Sequence, residues 1–302
     1  MDLLILAAGM GSRFGGLKQI EPIDERKNFI IDYSIYDAKQ AGFDRVVFLI
    51  KEENREIFEQ TVGKRVADQI EVAYAYQKLD VIPPGYVLPA DRVKPLGTAQ
   101  AILCAKDALK GPFAIINSDD FYGADAFKVA AKFLKSLGDK KGHYANIGYY
   151  AKNTLTRNGS VKRGILEFDE KRNLRALIES QLEWRGGDIY AAPLDTKEEM
   201  KKIPLDTLVS MNMFAFSTDI LDLLDEKYPE FMEQNKDNLA KCEYLIPTIV
   251  SELIEQGRVS CEVLATSAVW YGVTYREDKE EVVSSLKALV DKGEYPKDRF
   301  GK

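Results

Sequence analysis

Leu6-Ala7-Ala8-Gly9-Met10-Gly11-Ser12-Arg13-Phe14-Gly15-Gly16-Leu17-Lys18-Gln19 is the stretch on which the reading of this sequence turns. An apolar run ends at Ala8, four glycines follow between Gly9 and Gly16, and Arg13 and Lys18 stand five residues apart. A short apolar run closed by glycine predicts a buried first strand, Leu3–Ala8. Glycines bring successive backbone N–H groups close to one ligand and form an anion-binding hollow. Two fixed cations beside that hollow point to a polyphosphate. Two common phosphate loops do not fit: Phe14 stands where a dinucleotide fingerprint needs its third glycine, and Leu17 separates Gly16 from Lys18, which a P-loop would join. Read alone, the stretch is a glycine-rich turn with surface cations.

Outward from it, short apolar runs alternate with amphipathic ones. Leu3–Ala8, Arg45–Ile50, Glu71–Tyr76 and Phe113–Asn117 predict strands, rich in Val, Ile, Leu and Phe as expected where both faces are covered. Helical periodicity falls between them near Ile30–Ala41, Glu53–Val62 and Thr98–Leu109. This alternation predicts an α/β fold with a mostly parallel sheet and helices on both faces. Tyr144–Tyr150, Gly164–Phe168, Ser210–Phe216 and Ser260–Ala265 stand closer together and predict mixed pairing. The first two are expected to pair across the polar loop 153–160. Asp278–Val290 carries Val282, Val283, Leu286, Leu289 and Val290 at helical spacing and predicts a closing helix. With no internal repeat or long linker, the expectation is one domain over 1–302, its two halves, about 1–125 and about 126–302, meeting where the strand spacing changes.

The 302 residues, 45% hydrophobic and 30% charged, suffice for a sizeable core. A net charge of -6, from 42 Lys+Arg against 48 Asp+Glu, argues against a nucleic-acid partner but leaves room for a locally basic pocket. Cys104, Cys242 and Cys261 are far apart and odd in number, which excludes a disulfide framework and a zinc pattern and predicts a reducing, cytoplasmic setting. Met1–Ala8 carries Asp2 and lacks the basic region of a signal peptide. No run reaches the roughly eighteen apolar residues of a membrane span.

Leu6-Ala7-Ala8-Gly9, then Gly11, Arg13 and a close Lys18, resembles the opening loop of the sugar-nucleotide pyrophosphorylases, which condense an NTP with a sugar 1-phosphate. A similar loop occurs in cytidylyltransferases acting on other phosphates. The resemblance implies a Rossmann-like three-layer sandwich of the glycosyltransferase-A type, with a mostly parallel mixed central sheet. It also implies an Mg²⁺-dependent enzyme binding a nucleoside triphosphate and a small phosphorylated acceptor, leaving base, acceptor and oligomeric state open.

Further segments match in order. Ala8, Gly9, Gly11 and Ser12 fall where the family cradles the triphosphate. Gln77, and Gly97-Thr98-Ala99-Gln100-Ala101, resemble the pair that holds the nucleobase, although Gly97-Thr98 alone is simply a helix start. Ile115-Ile116-Asn117-Ser118-Asp119-Asp120-Phe121-Tyr122-Gly123 resembles the metal loop. Asp119 matches the metal-binding Asp, and Asp120 either supports it or caps a helix. Paired carboxylates at a strand end repel unless a cation lies between them. Gly164, Glu179 and Asn212 match the acceptor site, Asn212 otherwise serving a turn. Glu243-Tyr244-Leu245-Ile246-Pro247 and Trp270-Tyr271-Gly272-Val273-Thr274 fit the late segments.

Three departures stand out. Lys78 to Leu96 forms a 19-residue insert between Gln77 and Gly97, read as a lid or an altered base pocket. Ser180 follows Glu179 where the family often has a phosphate-holding Lys, so Lys162, Arg163 and Arg276 are the candidate replacements. The late loop carries no Asp or Asn at Gly272–Thr274, which makes Asp278 the nearest carboxylate for a second metal ligand.

The implied chemistry needs no general base, because the attacking phosphate oxygen is already ionised at neutral pH. The single histidine, His143, lies in a polar turn away from every motif. The resemblance casts Arg13 against the departing pyrophosphate, Lys18 between the α-phosphate and the incoming phosphate, and Asp119 on Mg²⁺. Two rivals remain: a cytidylyltransferase for a cationic phosphate such as phosphocholine, drawing on Tyr149, Tyr150, Trp184, Tyr190, Trp270 or Tyr271, and a catalytically silent nucleotide or sugar-phosphate sensor.

Overall fold

The computed structural model describes residues 1–9, 22–194, 196–272 and 278–297. Its strands are β1 (Asp2–Leu6), β2 (Arg45–Ile50), β3 (Glu71–Tyr76), β4 (Phe113–Asn117), β5 (Asp120–Phe121), β6 (His143–Tyr150), β7 (Val161–Phe168), β8 (Leu174–Arg185), β9 (Asp188–Pro193), β10 (Lys201–Ile203), β11 (Leu208–Phe216), β12 (Ser260–Thr266) and β13 (Tyr271–Gly272). The helices are α1 (Ile30–Ala41), α2 (Arg55–Phe58), α3 (Lys64–Val66), α4 (Thr98–Cys104), α5 (Ala124–Leu137), α6 (Ile220–Gln234), α7 (Ile246–Glu255) and α8 (Asp278–Asp291).

The central strands run β3-β2-β1-β4-β11-β6-β12, with β11 alone reversed. β1, β2 and β4 are nearly continuous buried apolar runs, because helices cover both of their faces. Leu3 and Ile5 of β1 enter the layer built with α1 and α5, while Leu4 enters the layer built with α4, α6 and α7. That alternation is the three-layer sandwich expected from the sequence. At a typical 1.5–3 kcal/mol per buried aliphatic side chain, these two layers supply most of the drive to fold.

Helix α1 begins as Asp32 Oδ2 accepts the Phe29 N–H (2.8 Å) and ends at Gly42, whose φ of 94° stops the winding. Helix α8 buries Val282, Leu286 and Val290 against Ile30 and Tyr33 of α1 and against Phe121, so the expected closing helix lies beside the start of the chain.

The expected pairing of β6 with β7 does not form. β6 pairs with β11 and β12, and β7 with β8 and β11. Strand β11 is buried over nearly its whole length and takes the place between them, while loop 151–160 folds back so that Thr154 O accepts from Arg163. β7 to β10 form an antiparallel extension that the sequence reading did not assign beyond β7. Its β8–β9 hairpin turns at Gly186 and Gly187, both at positive φ (59° and 93°), the requirement of a tight two-residue hairpin turn.

One edge of β11 is shared. Phe214–Phe216 pair with β4, whereas Val209 and Ser210 pair with β7. Between them the register shifts, and Asn212 adopts φ 60°. β4 and β7 diverge at this bulge, and a cavity opens there.

Candidate active site

In the register of the parallel strands, Leu6 lies opposite both Leu49 and Asn117, and Ile50 opposite Tyr76. Four strands therefore end at one edge, the edge where open α/β sheets bind ligands. Buried Ala8 and exposed Gly9 follow β1, Gln77 follows β3, and Asn117 to Asp120 close β4. Gly11, Ser12, Arg13 and Lys18 lie outside the described residues, as does Arg276.

Gly97 is the N-cap of α4, at φ 113°. A Cβ there would stand 2.6 Å from Tyr244 O, so only glycine lets the helix start this close to the 244–246 backbone. Tyr244 O accepts from Ala99 N (2.9 Å), and Thr98 Oγ1 accepts from Ile246 N (3.0 Å). Gly97-Thr98 thus starts α4, and Thr98 also lines the cavity described below.

Gln100, fully buried one turn on, donates to Lys78 O (2.6 Å) and accepts from Gln77 Nε2 (2.9 Å). It thereby ties Gln77 to the base of the insert. Arg92, only 6% exposed, anchors the other end by donating to the carbonyls of Lys94, Pro95, Leu239 and Cys242. The insert is thus tied down near both of its ends, by Gln100 at Lys78 and by Arg92.

The cavity at the β11 bulge is about 430 Å³ and brings together Thr98, Asp119, Asp120, Gly164, Glu179 and Asn212. Those six positions are spread over more than a hundred residues of sequence. Gly164 lies opposite Glu179 across β7 and β8, and a Cβ on it would meet Leu177 Cδ2 at 2.5 Å. Asp120 does not cap a helix. It pairs with Gly272 through β5 and β13, and its Oδ2 accepts from Asn117 Nδ2 (2.9 Å). The reading from sequence missed Asn117, since an Asn at a strand end looks like a turn residue. Its amide also accepts from Asn212 Nδ2 (3.2 Å).

Among the described residues, the cations Lys162 and Arg163 line this cavity. Arg163 is 8% exposed, donates to Lys162 O (2.8 Å) and Thr154 O (2.5 Å), and stacks 4.6 Å from the Trp270 ring centroid. Burial lowers its pKa to about 10, with Asp120, Asp278 and Glu179 pulling it back up, so it stays charged at neutral pH. Its two terminal guanidinium nitrogens are engaged by backbone carbonyls, while Nε is buried with no hydrogen-bond partner among the described residues. Lys162 is exposed and on the same face of β7 as Gly164. Ser180 is buried, its Oγ turned to Ile178 O (3.0 Å).

Arg163 and Trp270 also wall a second cavity of about 540 Å³. Asp278 lines that one, where it accepts from Thr156 Oγ1 (2.7 Å) and Asn158 Nδ2 (2.9 Å). This corrects its assignment as a metal ligand: it is buried against loop 151–160 and does not line the cavity of Asp119 and Asp120. Of the aromatic candidates for a cationic acceptor, Trp270 alone lines the acidic cavity, and Arg163 covers its face. Trp184 and Tyr271 line the second cavity, and Tyr149 is fully buried.

Asp119 and Asp120 present hard carboxylate oxygens to one space. That donor set suits Mg²⁺, which takes one or two carboxylates and completes its shell with water and substrate phosphate. Among the described residues no cluster of three or more His, Cys, Asp or Glu forms a complete metal cage. No helix among them is long and apolar enough to cross a membrane.

The whole architecture has known counterparts. An inositol-1-phosphate CTP transferase from T. maritima is 12% identical with a TM-score of 0.61, covering 95% of this chain and 96% of that one. A UDP-glucose pyrophosphorylase solved with UDP-glucose is 17% identical with a TM-score of 0.57, covering 95% and 98%. A Bacillus anthracis protein named as a glucose-1-phosphate thymidylyltransferase is 14% identical with a TM-score of 0.62, covering 95% and 94%. No curated protein matches the chain significantly in sequence. At these identities the structures establish the fold. The nucleotidyl transferase family model matches residues 3–278, nearly the whole length, and the chain is a member of that family, a nucleotidyltransferase.

Proposed function

We propose that the chain transfers a nucleotidyl group from an NTP to the phosphate of a small polyhydroxylated acceptor, a sugar 1-phosphate or a close cyclitol analogue, and releases pyrophosphate. An acceptor phosphate oxygen attacks the α-phosphorus, the bond to the bridging oxygen breaks, and the pyrophosphate carries that electron pair away. The observation that carries this reading is the single cavity at the strand ends, which joins the start of α4, the Asp119–Asp120 pair and the Gly164–Glu179–Asn212 set.

The chain's groups act by position and charge. Gln77, held by Gln100, lies beside α4 for reading the base. Backbone amides near Gly9 and Gly11, with Ser12 and Arg13, grip the triphosphate. Lys18 offsets repulsion between the two phosphates, and exposed Lys162 holds the acceptor phosphate. Asp119 and Asp120 would hold Mg²⁺, which when bound supplies Lewis-acid polarisation of the α-phosphate. No proton need be abstracted. His143 opens β6, which runs parallel to β4, so it stands at the sheet edge away from the cavity, beside Ser260 Oγ (3.0 Å). Three free cysteines fit a reducing, cytoplasmic setting.

The test is a pyrophosphate-release screen crossing four NTPs with hexose 1-phosphates, inositol phosphates and phosphocholine, with and without Mg²⁺. Turnover of a polyol phosphate is expected. Release with phosphocholine alone, or nucleotide binding without release for any pair, overturns the proposal.

A further inference from the structure

We infer that Asn117 is a positioning residue: it sets the hydrogen-bonding polarity of the acceptor end of the cavity by fixing the side-chain amide of Asn212. This rests on the reading of the cavity as the acceptor site. The argument starts at the Asp120 carboxylate, whose Oδ2 is the acceptor that faces Asn117. Asn117 Nδ2 meets Asp120 Oδ2 at 2.9 Å, so the Asn117 amide has its NH₂ on the Asp120 side, and the reverse orientation would set oxygen against oxygen. Its Oδ1 is then presented to Asn212, where it accepts from Nδ2 at 3.2 Å.

The polarity of Asn212 follows. With its NH₂ engaged by Asn117, its Oδ1 stands on the other side of the amide as an acceptor, with no donor to it among the described residues. The backbone holds Asn212 in place. Its φ of 60° is one that Asn tolerates better than most side chains, and its N–H donates to Ser210 Oγ (3.3 Å), itself held by Asn146 Nδ2 (2.8 Å). Asn117 and Asn212 both line the cavity, together with the Glu179 carboxylate.

A wall offering the Asn212 carbonyl recognises a hydroxyl donor. A trimethylammonium group has no O–H or N–H to give it. Asn117 thus relays the orientation set by Asp120, at the transfer centre, into selection of the acceptor's ring hydroxyls. A contact of this kind is worth about 10- to 100-fold in affinity.

The experiment compares wild type with Asn117→Ala and the near-isosteric Asn117→Asp. KM for the acceptor and for the NTP are measured, with calorimetric affinities for hexose 1-phosphates, inositol phosphates and their monodeoxy analogues. Expected are a 10- to 100-fold rise in acceptor KM, an NTP KM within about twofold, and as large a loss for Asn117→Asp as for Asn117→Ala. One deoxy analogue should bind wild type about 10-fold less tightly than its parent, and the penalty should vanish in Asn117→Ala. The inference is overturned if Asn117→Asp retains wild-type acceptor KM, if the deoxy penalty survives in Asn117→Ala, or if wild type binds no polyol phosphate. Should a variant not fold, the deoxy series on wild type decides alone: no penalty at any hydroxyl removes the acceptor wall. Failure of the nucleotidyl-transfer reading looks different, with polyol phosphates bound in this pattern but no pyrophosphate released.

Discussion

Asp37, on the buried face of α1, gives a quantitative handle on how the chain's end is held. Its side chain is buried, and Tyr295 donates a 2.7 Å hydrogen bond to its Oδ2, tying the segment after α8 onto α1. Burial raises its pKa from 3.8 to about 7. The Tyr295 hydrogen bond and Lys128 act the other way, and Glu294 adds to the rise. The folded state therefore binds this proton more tightly than the unfolded chain does. Its favourable contribution is complete below about pH 4, declines as pH rises, and is lost above about pH 7. A shift of about three units at about 1.4 kcal/mol each corresponds to roughly 4 kcal/mol between those limits. Asp37→Asn keeps the shape and an oxygen for Tyr295 but removes the titration. Urea melts of both proteins at pH 5, 6, 7 and 8 isolate the effect, because other groups cancel in the difference. The variant should gain stability relative to wild type as pH rises, level off above pH 7, and be the more stable protein at pH 8. A difference flat across this range to within about 0.5 kcal/mol would refute the reasoning. Tyr295 also packs edge-on against Phe121, the neighbour of Asp120, at 6.1 Å, so acceptor KM is worth following in the same samples.

Lys162→Ala should raise the acceptor KM at least about 10-fold while leaving the melting temperature unchanged, since the side chain is exposed; steady-state kinetics with the acceptor varied checks it. Gln100→Leu leaves the Lys78 carbonyl and Gln77 Nε2 without their partner, so NTP KM should rise and the melting temperature fall, consistent with a loss of about 1–3 kcal/mol. Arg13→Ala should lower turnover by about 10²–10³ with an unchanged circular dichroism spectrum, and unaltered pyrophosphate release would reject its role. Gly97→Ala places a Cβ against Tyr244 O at a φ of 113°, and it should weaken NTP binding measured by calorimetry and lower the melting temperature together.

Much of the first 125 residues was legible. β2, β3, β4 and α1 lie where the apolar runs and helical periodicity put them, residue for residue, because short-range patterning dictates strands buried on both faces and amphipathic helices. The antiparallel extension was missed beyond β7. β8 does alternate, with Leu174, Ala176, Ile178, Leu182 and Trp184 on one face and Arg175, Glu179, Glu183 and Arg185 on the other, a signal the reading passed over, whereas β10 is only three residues long and carries none. The Gly186-Gly187 pair was a usable hairpin signal that the reading passed over.

Residue types and their order named the chemistry: a glycine-lined cationic loop, paired aspartates after a buried strand, a polar acceptor set. Motif positions are local facts, so they can be read along the chain without knowing the fold. Which groups share a space is decided by strand order and register, which no local pattern encodes. The insertion of β11 between β6 and β7, and its bulge at Asn212, open the cavity where Asp119, Glu179 and Asn212 meet. The same packing sends Asp278 to the other side of Arg163 and Trp270, and makes an unremarked Asn117 the link between Asp120 and Asn212.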